Sequence, residues 1–174
     1  TPNAPALQAI GVLSRTAAIA IEAKRAERQR RILIEELNHR VKNTLATAQS
    51  LASQTLRTSS PEQFAAAFSG RLGALASAHT LLANTHWVGA RLHDLIREQL
   101  GASRGAAANV TIDGDDVALQ PSAALTLGLA LHELATNAAE HGALASPSGS
   151  VEVRSEVGAG PGGRRLVLTW CERG

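Results

Sequence analysis

Residues 33–55 read LIEELNHRVKNTLATAQSLASQT, and the spacing inside this stretch decides the fold. Leu33, Leu37, Val41, Thr44, Ala48, Leu51 and Thr55 recur every three or four positions, so at about 100° per residue they share one narrow arc of an α-helix. That arc is expected to be buried. On the same wheel His39 points almost opposite, together with Glu35, Lys42, Asn43, Ala46 and Ser50, and is expected to be exposed. Working outward, residues 6–58 contain no proline and one glycine, Gly11, which predicts a single long helix. Toward the N-terminus Leu7, Ile10, Leu13, Ala17, Ala20 and Lys24 keep helical spacing until a charged run from Glu22 to Arg31 intervenes. Glu22 and Glu27 interleave with the bases there, so the run reads as a solvated helix surface or coiled-coil flank, a connector rather than a nucleic-acid patch.

Downstream, Ser59, Ser60, Pro61 and Glu62 form a turn and a helix start, with a serine cap and proline in the first turn. The second helix runs to about Asn84 and presents Phe64, Phe68, Leu72, Leu75, His79 and Leu82 on one face, so the two helices are expected to close as an antiparallel hairpin. A hairpin alone buries little, and pairing with a second copy into a four-helix bundle is the economical way to cover it. After a break at Thr85–Gly89, a helix is expected from Ala90 to Leu100, then a Gly/Ala-rich turn, a short strand at Asn109–Ile112 and a Gly/Asp loop. Gln120, Pro121 and Ser122 introduce a helix from about Ala123 to His141, stopped by Gly142. Alternation at Val151, Val153, Val157 and at Leu166, Leu168, Trp170, joined by the Gly-rich stretch from Gly158 to Gly163, reads as a β-hairpin.

The 174 residues are 44% hydrophobic but only 2% aromatic, with alanine and leucine leading, which excludes an all-β fold and a disordered tail and leaves an α+β chain. Cys171 has no second cysteine to pair with, which fits a reducing compartment and a cytoplasmic protein. The formal charge is +2. The pI of about 9.3 exaggerates it, because with no tyrosine and one cysteine little titrates between neutrality and the lysine range. Charge makes no case for nucleic acid, no apolar run has the length of a membrane span, and there is no signal-peptide pattern. A start at Thr1 without any methionine suggests a piece of a longer protein, and the C-terminal end looks cut as well.

An exposed neutral imidazole such as His39 is a usable nucleophile toward a phosphoryl group, since its unperturbed pKa near 6.5 leaves a free ring nitrogen at physiological pH. Arg40 and Lys42 would offset phosphate charge, and Glu35, one turn earlier, would accept the ring proton. In the later helix Ala130, Glu133, Asn137 and His141 form a polar edge beside the Leu127, Leu131, Leu134, Ala138 stripe. His132 points to another side, near Leu125 and Gly128, and is expected to pack or orient. Zinc is not favoured. His132-Glu133 opens a His-Glu-x-x-His pattern, but Thr136 stands at the second ligand position. His79, His86 and His93 are seven apart across a helix break, lack a Cys or carboxylate to complete a tetrahedron, and read as surface or bundle-end residues.

Three blocks together carry a family resemblance: His39-Arg40-Val41-Lys42-Asn43, Arg71-Leu72-Gly73-Ala74-Leu75-Ala76-Ser77-Ala78-His79, and Leu131-His132-Glu133-Leu134-Ala135-Thr136-Asn137-Ala138-Ala139, followed by Trp170-Cys171-Glu172. From about Ile34 to Gly174 the chain resembles the HWE class of bacterial sensor histidine kinases. The resemblance implies residues 1–30 as the exit helix of an upstream sensor domain, GAF-like, with a signalling connector. It implies residues 31–84 as the dimerisation and phosphotransfer hairpin, and 85–174 as the N-terminal part of a Bergerat-type α/β-sandwich ATP-binding domain. His39 would accept the γ-phosphoryl group of ATP, Asn137 would hold Mg²⁺, and Glu133 would polarise the attacking group. The base stays open between Glu35, Glu36 and Glu133. His141 and Glu172 would contact the nucleotide, Glu172 at the adenine amino group. A response-regulator receiver domain and a second copy of the chain are the implied partners. Glu140 and His141 stand where the family has a Lys-aromatic pair. The rival readings are a non-enzymatic phosphotransfer module with a degenerate ATP domain and a helical dimerisation scaffold.

Overall fold

The computed structural model describes residues 3–101, 109–160 and 163–174, the side chains of residues 4–14 and 16–18 excepted. The stripe positions Leu7, Ile10, Leu13 and Ala17, the Gly/Ala-rich turn after Gly101 and the hairpin tip at Pro161 and Gly162 thus lie outside the described residues. The protein is α+β, and its chain divides into two units, Thr1–Ser50 and Leu51–Gly174.

With no proline between Pro5 and Pro61, the chain forms one helix, α1 (Ala4–Thr58), of 55 residues. The first unit is the part of this helix up to Ser50. Its local support is intrahelical: Arg40 Nε donates to Glu36 Oε1 at 2.8 Å one turn back, and the Thr44 hydroxyl donates to the Arg40 carbonyl at 2.9 Å. The arc expected to be buried is open here. Leu33, Leu37 and Val41 are 59%, 60% and 49% exposed. A lone helix has no second surface to cover its own apolar side chains, and only Leu51 and Thr55, in the second unit, are buried.

The second unit opens with the last turns of α1 and with α2 (Pro61–Asn84). Pro61 occupies the first turn as expected, although Ser60 makes no side-chain capping bond. Then come β1 (Ala90–Arg91), α3 (Leu92–Gly101), β2 (Val110–Gly114), β3 (Ala118–Leu119), α4 (Pro121–Glu140), a 3-10 turn at Ala143–Ala145, β4 (Ser150–Gly160) and β5 (Gly163–Arg173). The sheet order is β2-β4-β5, with β2 parallel and β5 antiparallel to β4. A parallel pair needs a crossover, and α4 lies in the chain between β2 and β4. Alternation puts Val151, Val153 and Ser155 inside, while Glu152 on the other face pairs with Arg154 and Arg173, both at 2.8 Å. The expected helix at 90–100 begins two residues late, because Ala90 and Arg91 pair with Leu119 and Ala118.

One core joins α2, α3, α4 and the sheet, through Ala78, Leu82, Leu92, Leu95, Ile96, Leu131, Ala135 and Val153, each at most 1% exposed. Small residues let α2 approach α4. A Cβ on Gly128 would stand 3.3 Å from the Ala78 Cβ, and one on Gly70 would stand 3.0 Å from His132 Nε2. His132 therefore packs, and burial lowers its pKa.

Candidate functional site

On α1, His39 is exposed, as are Glu35, Lys42 and Asn43 around it. Glu36, one of the three candidate bases, is engaged with Arg40. His39 belongs to the first unit; Glu133, Asn137, His141 and Glu172 belong to the second.

The buried face of α4, with Ala124, Leu131, Ala135 and Ala138 at 0% exposure, anchors the helix so that its polar edge borders a cleft of about 590 Å³. Glu133, Asn137, Glu140 and His141 line one wall, and Thr58, Glu62 and Arg71 contribute to its lining from α1 and α2. Asn137, Glu140 and His141 are exposed, and His141 Nε2 lies 3.6 Å from Glu140 Oε2. Glu133 is held in a fork: Arg71 Nε donates to its Oε1 at 2.6 Å and Arg71 NH2 to its Oε2 at 3.0 Å. That hydrogen bonding, chiefly, holds the Glu133 carboxyl below its ordinary pKa and raises that of Arg71.

Glu172 stands just past α4 and does not line this cleft. Its Oε2 accepts from the Ala143 amide and its Oε1 from Trp170 Nε1, both at 2.9 Å. These bonds, the amide first, lower its pKa. Gly142 has φ −110, so it is not a left-handed helix stop. Glycine is needed there for space: a Cβ would collide with the Glu172 carboxylate and stand 2.9 Å from the Ala138 Cα.

The cleft suits a magnesium-nucleotide in two respects. Its volume falls within the usual range for small-molecule sites. Asn137 also presents one neutral amide oxygen, and Mg²⁺ takes few protein ligands when phosphates and waters supply the rest. Among the described residues there is no cluster of three or more His, Cys, Asp or Glu that could hold a metal ion. Arg71 is the functional side chain that sequence reasoning missed. The available signal was its isolation: α2 carries Glu62 and Arg71 as its only acidic or basic residues, His79 aside, and a lone guanidinium on a packed helix calls for a carboxylate partner.

A long helix bearing an exposed histidine, joined to an α/β layer with an asparagine-lined cleft, is the arrangement of a histidine kinase core. The family profile of the HWE histidine kinases matches residues 36–116. The chain is 35% identical over 153 residues to the blue-light-activated histidine kinases of Brucella ovis and Brucella abortus strain 2308, covering 87% of this chain and 31% of each relative. It is 34% identical over 155 residues to that of Brucella anthropi, covering 88% and 32%. The chain is thus similar to HWE histidine kinases, and it spans about a third of the length of these curated relatives. Among the described residues no helix is long and apolar enough to cross a membrane.

Proposed function

We propose that the protein to which this chain belongs is a cytoplasmic sensor histidine kinase that transfers the γ-phosphoryl group of Mg-ATP to His39 and then to an aspartate of a response regulator, working as a dimer through the α1–α2 hairpin. The observation that carries this reading is the exposed imidazole of His39 inside the block matched by the histidine kinase family. Bound magnesium supplies charge neutralisation to the phosphates. The chain's own groups do the rest. One neutral ring nitrogen of His39 bonds to the γ-phosphorus, the bond to the β–γ bridging oxygen breaks, and ADP leaves with its electron pair. The ring loses its N–H proton to a carboxylate, with Glu133 as our assignment. Asn137 would hold the magnesium, His141 would contact the nucleotide in the cleft, and Glu172, outside the cleft beyond the end of α4, would meet the adenine amino group.

The relay reading keeps one observation in its favour: Arg71, the single Arg or Lys lining the cleft among the described residues, is already paired with Glu133, and Glu140 adds a further negative charge. Incubating the full-length parent with γ-labelled Mg-ATP separates the two. The kinase reading expects acid-labile label that His39→Ala abolishes and Asn137→Ala reduces by roughly a hundredfold or more. Absence of label from the parent, with His39 still phosphorylated by a partner, would establish the relay instead.

A further inference from the structure

Burying a guanidinium costs stability unless its donors meet acceptors, and the Arg71 side chain, 15% exposed, commits three nitrogens. Two hold Glu133, and NH1 donates to Thr55 Oγ1 at 2.7 Å. The Thr55 hydroxyl itself donates to the Leu51 carbonyl, which leaves its oxygen to serve Arg71 as an acceptor. One side chain thus ties the end of α1, the middle of α2 and the polar edge of α4. A carboxylate gripped on both oxygens is hindered and weakly basic. A base for an imidazole proton needs the opposite, an open oxygen and a pKa nearer that of the ring.

We propose that the Arg71–Glu133 fork is a latch, which while closed withholds Glu133 from the proton transfer at His39 and which opens when α2 shifts against α4. The proposal rests on the phosphotransfer reading above and adds its control. With the latch open, Glu133 takes the N–H proton of the imidazole as the ring's other nitrogen bonds to the γ-phosphorus and ADP departs. Thr55 lies on the helix that carries His39, so a twist of the final turns of α1 bears directly on the Arg71 donor. Arg71 is a positioning residue: it acts through Glu133. The other titratable groups around Glu133 are His132 beside it on α4, Glu62 across the cleft, and Glu140 and His141 further along α4.

The test uses the full-length parent with γ-labelled Mg-ATP and compares it, unstimulated, with Arg71→Ala, Arg71→Lys, Glu133→Gln and the Arg71→Ala/Glu133→Gln double variant. Loss of charge-assisted hydrogen bonds to Glu133 is expected to raise the initial rate of His39 labelling roughly tenfold in Arg71→Ala. The acid limb of its pH–rate profile moves to higher pH as Glu133 regains an ordinary pKa. Arg71→Lys, which pairs without a fork, falls between, and the double variant drops to the rate of Glu133→Gln. A lower melting temperature with labelling per folded molecule unchanged or reduced overturns the latch and leaves a structural ion pair. If Arg71→Ala fails to fold, Arg71→Lys decides by the same sign. A parent that does not label His39 sinks the phosphotransfer reading and the latch with it, whereas a labelled parent with no gain in the variants sinks the latch alone.

Discussion

The His39 segment of α1 and the Glu133–Asn137 segment of α4 are both helical and both carry residues of the proposed chemistry, yet their surroundings are opposite. Around His39 the helix is open: Leu37 and Val41 stand exposed with it. Around Glu133 the helix is pinned by Leu131, Ala135 and Ala138 at 0% exposure, and the carboxylate is held at 2.6 Å by a side chain from another helix. Packing on one face fixes the direction of the other, so the α4 edge is preorganised, while the α1 segment presents the proposed nucleophile together with an exposed apolar stripe.

This contrast can be broken by mutation. Leu131→Ala, in the pinned helix, is expected to destabilise by about 2–5 kcal/mol, lowering the melting temperature by roughly 2–4 °C per kcal/mol in calorimetry. A near-neutral result would mean that α4 is not held by its core face. Acid should loosen the same region in two stages. Burial keeps His132 and His79 below their ordinary pKa, so the unfolded chain takes up their protons first, and stability falls as pH drops below about 6.5. Arg71 depresses the pKa of Glu133, so its contribution is present above the unfolded carboxyl value of about 4.3 and is lost as pH falls further, through its folded pKa. Urea midpoints compared between about pH 7.5 and about 5.5 should therefore decline, and less so in His132→Gln. An unchanged decline in that variant removes His132 from the account. The smallest effect is expected on the open helix: Leu37→Ala should shift stability by no more than about 0.5 kcal/mol in dilute protein. A larger loss that grows with protein concentration would show that a second copy covers this stripe.

The helix under His39 was legible because helical spacing needs only the sequence; His39 is exposed as expected, and so are Leu33, Leu37 and Val41 of the stripe opposite it. The hairpin of β4 and β5 was legible for the same reason with period two. Ala90 and Arg91 were not: a two-residue strand has no period, and it exists because β3 pairs with it. The burial assigned to Leu33, Leu37 and Val41 failed because periodicity marks a face suited to cover without supplying the cover. Gly142 was read for its backbone, whereas a side chain there would press on the Ala138 backbone at 2.9 Å and meet the Glu172 carboxylate.

Local order was therefore written in the amino acids themselves: which segments coil, where each helix starts and stops to within about two residues, and that Asn137 and Glu133 share an edge, since these depend on neighbours three or four positions away. That Arg71 and Thr55 meet, that the fork closes on Glu133, and that the Ala143 amide holds Glu172 was decided only when distant segments packed. Such contacts span 16 to 62 positions and leave no periodic trace. Their geometry comes from small residues at Gly70, Ala78 and Gly128, which let the helices approach closely enough for a guanidinium to reach across.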